Sequence, residues 1–209
     1  MRRRLAVVSA LAALVLLAAC GGSGGKAKPS ELINKPNAPY SGFGLDPALP
    51  RPQFTLTDTS GKQFNFGLRT KGVPTLLYFG YTSCPDVCPT TMADIATALR
   101  QQSKDLQRKT QVVFVTTDVK HDSGPVISAW LRHFDGDLPA KFIGLRGSQA
   151  QIDAAQATAH VTVAEDEGKL HAANVLLYGA DNYAHVQFLA TDQEADQIAH
   201  DLRVIAAQS

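Results

Sequence analysis

The chain has 209 residues, of which 44% are hydrophobic, and its 20 lysines and arginines nearly balance 19 aspartates and glutamates. This length allows one ordinary domain with flanking segments, and the apolar share is sufficient for a buried core. The net charge of +1 lacks the basic excess typical of proteins that bind DNA or RNA, so we expect no nucleic-acid partner.

The first twenty residues predict export. Arg2, Arg3 and Arg4 precede an uncharged, largely apolar run over residues 5–19, a pattern that indicates a secretory signal peptide and not a membrane span. The run ends in Leu-Ala-Ala-Cys, the pattern of a bacterial lipobox, so we expect Cys20 to be lipidated and to become the new N-terminus. This predicts a protein anchored to the cell membrane on its extracytoplasmic face. An ordinary signal peptide is the alternative, and the tandem arginines leave the export route open.

Loss of the predicted signal, residues 1–19, would remove three arginines and leave 17 basic against 19 acidic side chains, a net charge of −2. Residues 20–52 are rich in Gly, Ser, Lys, Pro and Asn and poor in large apolar side chains, which predicts a flexible tether. We assign residues 53–209 to one domain, in which no internal repeat occurs.

The predicted domain begins with a β-hairpin, because residues 54–57 and 63–66 alternate in polarity around a Thr-Ser-Gly-Lys turn. An apolar run at residues 75–79 then predicts a buried strand. The further predicted elements are a helix with Met92, Ile95, Ala96 and Leu99 on one face, a strand at 112–115, a helix at 126–134, a strand at 142–145, a helix capped by Ser148 that runs to about residue 159, an antiparallel pair at 175–178 and 186–189, and a final helix after a capping-box pattern at 191–194.

This alternation of strands and helices, followed by an antiparallel pair and a last helix, predicts an α/β sandwich with a central mixed sheet flanked by helices. In such folds ligands bind beyond the carboxyl ends of the strands. Cys84 and Cys88 follow the strand at residues 75–79, so their position indicates a functional site.

The chemistry of Cys84 and Cys88 leaves three roles open: a structural disulfide, a redox couple or part of a metal site. Pro89 favours the first turn of a helix, whose positive end stabilises a thiolate. Helical spacing places the two Cα atoms about 6 Å apart, within the span of a disulfide. A disulfide across so short a loop would add little stability. Two thiolates are too few for tetrahedral zinc but suit Cu(I), and a third ligand would also allow Cu(II).

The stretch "GYTSCPDVCPTTMADI", which contains both cysteines, resembles the signature of the SCO/SenC family. The similarity continues through "FVTTDVKHDS" and "KFIGLRGSQAQIDAAQ" and covers most of residues 53–209. The family consists of thioredoxin-like copper proteins that help to assemble cytochrome c oxidase, so the resemblance implies a thioredoxin-like sandwich with an N-terminal hairpin.

In this family two cysteines and one distant histidine bind copper, which implies Cys84, Cys88 and His171 as ligands here. His171 precedes the predicted strand at residues 175–178, and a neutral imidazole is a good ligand for either copper state. A surface histidine beside a polar loop is the alternative. His121 is the reserve ligand, because it lies in the loop after Asp118.

Two acidic residues are candidates for a supporting role. Asp118 matches an acidic position of the family and could orient the site through hydrogen bonds, or it could only shape the turn at the end of a strand. Asp86, between the cysteines, could add negative charge near a metal or could only form a turn.

The resemblance thus implies a copper chaperone that serves the copper A subunit of cytochrome c oxidase, with another copper carrier as a further partner. The alternative is a thiol–disulfide oxidoreductase that uses Cys84 and Cys88 to reduce the cysteines of the copper A site. The Cys-x-x-x-Cys spacing, and the lack of any proline between Pro139 and residue 175, argue against a generic thioredoxin enzyme. A peroxidase is disfavoured because no arginine is placed to support it, and Met92, the only methionine after Met1, excludes a methionine-rich copper carrier.

Overall fold

The computed structural model describes residues 31–33, 39–165, 174–189 and 195–208. Within these ranges the chain forms one nine-stranded sheet flanked by helices. In chain order the elements are β1 (Glu31–Ile33), β2 (Phe43–Pro50), β3 (Thr55–Asp58), β4 (Gln63–Asn65), α1 (Phe66–Arg69), β5 (Thr75–Gly80), α2 (Val87–Arg100), α3 (Lys104–Lys109), β6 (Gln111–Thr116), α4 (Gly124–Asp135), β7 (Ile143–Arg146), α5 (Gln149–Thr158), β8 (Asn174–Tyr178), β9 (Tyr183–Leu189) and α6 (Ala195–Ala207).

The strands are arranged in the order β1-β2-β9-β8-β5-β6-β7-β3-β4. β5, β6 and β7 are parallel, whereas β8 runs antiparallel to β5. The predicted mixed sheet is therefore present. Because β5 and β6 are parallel with Gly80 paired to Thr116, their carboxyl ends lie side by side at one edge of the sheet.

The core lies on both faces of the sheet, because successive side chains of β5 point to opposite sides and all six residues of that strand are buried. Leu76 and Tyr78 pack on one face against apolar side chains of α2, α4 and α6. Leu77 and Phe79 pack on the other face against α5 and the hairpin. The loop that follows β5 therefore begins at a strand that is packed on both faces.

Several predicted elements are confirmed with shifts of one to three residues at their ends. The hairpin is β3 and β4, the antiparallel pair is β8 and β9, and Ser148 caps α5 through a complete capping box. The predicted core methionine, Met92, is fully buried. Of the residues predicted to mark α4, Val126 is exposed while Ile127 and Leu131 are buried.

The predicted boundary between tether and domain at residue 52 is wrong. β2 spans Phe43–Pro50 and pairs with β9, and Leu45 and Leu49 on it are buried. Its two prolines and one glycine conceal the strand in the sequence, although prolines are tolerated where the ladder is irregular, and the register here shifts between Gly44 and Leu49.

The short helix α3 was not predicted, because Lys104–Lys109 carries only one apolar side chain and so lacks a helical apolar period. No helix among the described residues is long and apolar enough to cross a bilayer. The predicted signal at residues 1–19, the lipidated Cys20, the ligand His171 and the capping box at residues 191–194 lie outside the described residues.

Candidate metal and thiol site

Both cysteines lie where the chain passes from the central strand to the first long helix. β5 ends at Gly80 and α2 begins at Val87, so Cys84 is in the connecting loop and Cys88 is in the first turn of α2. The loop begins at the edge of the sheet where β5 and β6 both end. The predicted helix start near Cys88 is therefore confirmed, and no disulfide joins the two cysteines.

Cys88 belongs to the core. Its side chain is fully buried in the cluster that includes Met92, and the Tyr78 hydroxyl donates a hydrogen bond to Cys88 Sγ at 3.3 Å. Burial raises the pKa of the Cys88 thiol to about 12, which exceeds the opposing effect of the hydrogen bonds from Tyr78 and the Tyr81 backbone. Before any ligand binds, Cys88 is therefore a neutral thiol around neutral pH.

Cys84 lies in a different environment, half-buried at the surface of the same cluster. Burial raises the pKa of its thiol, but the backbone N–H groups of Cys88 and Asp86 outweigh this effect, and the net shift is downward. The Cys88 N–H donates to Cys84 Sγ at 3.4 Å. The predicted effect of the helix N-terminus therefore reaches Cys84 through these donors, and Cys84 is the more readily ionised thiol.

Tyr81 lies beside the half-buried sulfur of Cys84. Its hydroxyl forms a hydrogen bond with Cys84, and its partly buried side chain packs against the core cluster. Burial, followed by the nearby charge of Cys84, raises the pKa of Tyr81 to about 12, so its hydroxyl stays protonated and available as a donor. Each sulfur thus has one tyrosine hydroxyl beside it, since Tyr78 serves Cys88.

The structure places the two predicted acidic residues differently. Asp86 occupies the N-cap position of α2 without a side-chain cap, and its carbonyl oxygen accepts hydrogen bonds from the N–H and hydroxyl of Thr90. Asp118 is buried, and its carboxylate accepts from the backbone N–H of His121 and lies 2.8 Å from His121 Nδ1. The hydrogen bonds of its carboxylate thus go to the turn after β6.

The His121 side chain is 65% exposed, and its Nδ1 lies 2.8 Å from a carboxylate oxygen of Asp118. Within the described part of the chain, no group of three or more His, Cys, Asp and Glu side chains is arranged to hold a metal ion. Of the three predicted ligands, the structure therefore describes Cys84 and Cys88. The role of His171 stays a prediction.

Sequence reasoning missed Asp122, which links the cysteine loop to the end of β6. Its carboxylate accepts from the hydroxyl and the N–H of Thr82 and from the hydroxyl of Thr116. The available signal was its position in "FVTTDVKHDS", four residues after Asp118. That spacing alone does not distinguish an acidic turn residue from a buried one.

The sequence profile of the SCO1/SenC family matches residues 45–207. The chain belongs to this family. The match begins inside β2, in agreement with the early start of the domain. The family resemblance and the thioredoxin-like sandwich predicted from the sequence are therefore confirmed.

Relatives and solved structures agree with this assignment. The SCO2-like protein of Rickettsia felis is 41% identical over 102 residues, which cover 47% of this chain and 45% of that protein. The chain thus matches less than half the length of this relative. Copper-bound ScoI of Bradyrhizobium japonicum is 32% identical with a TM-score of 0.62, covering 76% of this chain and 99% of that one. Apo Sco1 of Thermus thermophilus is 25% identical with a TM-score of 0.66, covering 79% and 96%.

Proposed function

We propose that this protein is a copper chaperone that binds copper through Cys84, Cys88 and His171 and delivers it to the copper A site of cytochrome c oxidase. The observation that carries the proposal is the pair of cysteines at the start of α2, which are not joined by a disulfide and of which one is half-exposed and one buried. The copper-bound state of the related ScoI of Bradyrhizobium japonicum supports copper as the cargo.

The donor set fits copper chemically. Thiolate sulfur is a soft ligand that favours Cu(I), and an imidazole from His171 would also suit Cu(II). Cys84 ionises readily, whereas Cys88 must lose its proton for both sulfurs to bind as thiolates. Copper binding by this pair is therefore coupled to proton release.

We propose that the protein performs this role on the extracytoplasmic face of the cell membrane. The signal pattern of residues 1–19 and the lipobox that ends at Cys20 supply export and a lipid anchor to the membrane. Metabolic labelling with a tagged fatty acid should mark the parent chain and leave the Cys20→Ser variant unlabelled. Equal labelling of the two chains, or none in the parent, would contradict a lipid anchor at Cys20.

Copper loading of the reduced protein without residues 1–20 tests the ligand set. We expect one copper per chain, and the His171→Ala variant should bind copper at least about tenfold more weakly, as removal of a metal-site partner typically does. His133→Ala, on the exposed part of α4, is the matched control and should bind like the parent chain. Equal affinity of the His171→Ala variant and the parent would show that His171 is not a ligand.

The difference between the two thiols also supports a second function, reduction of the oxidised copper A cysteines. The Cys84 thiolate would attack a sulfur of the partner's disulfide and form a mixed disulfide. Cys88 would then lose its proton and attack Cys84. The partner would be released as a dithiol and this chain would become a disulfide, so two electrons and two protons pass to the partner.

These two functions differ in what the partner gains. Metal-free, reduced protein is incubated with an oxidised copper A domain, and the free thiols of that domain are counted. New thiols without copper support the reductase. Transfer of copper from loaded protein to a reduced domain, whose cysteines then bind the metal as thiolates without being oxidised or reduced, supports the chaperone.

A further inference from the structure

Asp122 is a buried carboxylate in the link between β6 and α4, with only 1% of its surface exposed. Its Oδ1 accepts from the Thr82 hydroxyl at 2.5 Å, and its Oδ2 accepts from the Thr82 N–H at 3.0 Å and from the Thr116 hydroxyl at 2.5 Å. All three donors are uncharged. The side chain is therefore hydrogen-bonded through both of its oxygen atoms.

Thr82 is the residue through which Asp122 reaches the cysteine loop. The Cys84 N–H lies 3.4 Å from the Tyr81 carbonyl oxygen, so residues 81–84 form a turn with Thr82 at its second position and Cys84 at its last. Because Asp122 binds both the backbone N–H and the hydroxyl of Thr82, it fixes this turn in position and direction. Removal of those bonds frees the segment that carries Cys84.

A second contact ties the same two segments together. The Gly80 carbonyl oxygen accepts from the backbone N–H of Thr117 at 2.7 Å and from its hydroxyl at 3.2 Å. Gly80 ends β5 and Thr117 follows β6, so this contact orients the start of the loop. Asp122 makes a second connection at Thr82, which lies two residues after Gly80 and closer to Cys84.

We infer that Asp122 is a positioning residue that holds Thr82, and through it Cys84, in place beside α2 for copper binding. The inference rests on the proposed function, in which Cys84 is a ligand. Asp118 does not share this role, because its carboxylate accepts from His121 instead. Cys88 is held by packing in the core, so the effect of Asp122 is specific to Cys84.

The Asp122→Asn variant tests this inference, with Asp135→Asn as the matched control. Asp135 is also buried and accepts the N–H of Phe142 at 2.7 Å, but it lies before β7, at the opposite edge of the sheet from the cysteines. Copper affinity, measured by competition with a Cu(I) chelator, should fall about 10- to 100-fold in Asp122→Asn, as for other residues that orient metal ligands. Asp135→Asn should bind copper as the parent does.

Two further measurements keep the test decisive if Asp122→Asn folds poorly. Thr82→Ala removes the hydroxyl donor and should weaken copper binding in the same direction, whereas Thr82→Ser retains it and should restore the parent's affinity. The alkylation rate of Cys84 in metal-free, reduced protein should rise severalfold in Asp122→Asn and Thr82→Ala, while that of Cys88 stays unchanged.

Parent-like copper affinity and parent-like Cys84 alkylation in both variants would overturn the inference. If the parent chain itself bound no copper, the proposed function would fail, and the alkylation rates, which need no metal, would still decide whether Asp122 positions Cys84.

Discussion

The two halves of the site hold their sulfurs by different means. The buried half, formed by Cys88 of α2 with Tyr78 and Gly80 of β5, is packed in the core, whereas the loop half, residues 81–86, is partly exposed and held by hydrogen bonds that Thr82 donates to Asp122. Packing fixes the position of Cys88, and burial raises the pKa of its thiol. Hydrogen bonding leaves Cys84 accessible and more acidic. The difference shows how one site combines a fixed sulfur with a reactive one.

Replacement of either cysteine by alanine should have the largest effect. Cys84→Ala and Cys88→Ala should each weaken copper binding by more than about 100-fold, beyond the loss that an orienting residue causes. The two variants should differ in stability. Cys88→Ala leaves a space in the core and should cost about 1 kcal/mol or more, whereas Cys84→Ala should stay within about 0.5 kcal/mol of the parent.

Chelator competition and urea unfolding of the two variants measure these quantities. Equal loss of stability in both variants would contradict the distinction between a packed and a hydrogen-bonded sulfur. Copper binding that survives either replacement would contradict the ligand assignment.

Gly80→Ala should disturb the buried half of the site. A Cβ at this position would lie 2.9 Å from Cys88 Sγ and 2.9 Å from Tyr78 Cε1, both of them buried. Such overpacking typically costs about 1–3 kcal/mol, and we expect a loss of this size in urea unfolding.

Gly136→Ala is the control for this prediction, because Gly136 has helical backbone angles and a Cβ there would meet only the Arg132 carbonyl oxygen at 3.2 Å. That variant should change the free energy of unfolding by less than about 1 kcal/mol. Similar losses in both variants would show that Gly80 is not closely packed against the sulfur.

The two thiols should alkylate at different rates in the reduced, metal-free protein. The thiolate is the reactive form, so the lowered pKa and the exposure of Cys84 should make it react at least about tenfold faster than Cys88 near neutral pH. As the pH rises from about 6 to about 9, the rate at Cys84 should level off first. The rate at Cys88 should still be rising, because burial raises its pKa to about 12.

Mass spectrometry of the alkylated peptides, with single-cysteine variants as references, measures both rates. Equal rates, or a faster reaction at Cys88, would contradict the assignment of Cys84 as the reactive sulfur.

Tyr78→Phe should have the smallest effect. It removes one hydroxyl that donates to Cys88 and should cost about 1 kcal/mol of unfolding free energy. Tyr178 is a matched control, since it is equally buried and its hydroxyl has no hydrogen-bond partner among the described residues. Tyr178→Phe should therefore be neutral or slightly stabilising, and a loss as large as that of Tyr78→Phe would show that the bond to Cys88 adds no stability.

Most of the secondary structure was predictable because strands and helices of this chain carry clear apolar periods. Residues 76–79 form an unbroken apolar run, which is typical of a strand buried on both faces, and Ser148 and Gln151 mark the start of α5. β2 was missed because its glycine and prolines have the composition of a linker. Its pairing with β9 depends on a segment about 140 residues away in the chain.

The sequence by itself determined the class of fold, the position of Cys84 and Cys88 at the carboxyl end of a central strand and, through the resemblance, the family. The tertiary structure decided how the two sulfurs differ, because burial and hydrogen-bond donors come from residues that are distant in sequence. It also decided the role of Asp122, which lies 40 residues from Thr82 and bonds it only because β5 and β6 end side by side. Local patterns record which residues are buried, but the partner of a buried polar group is set by the packing of strands.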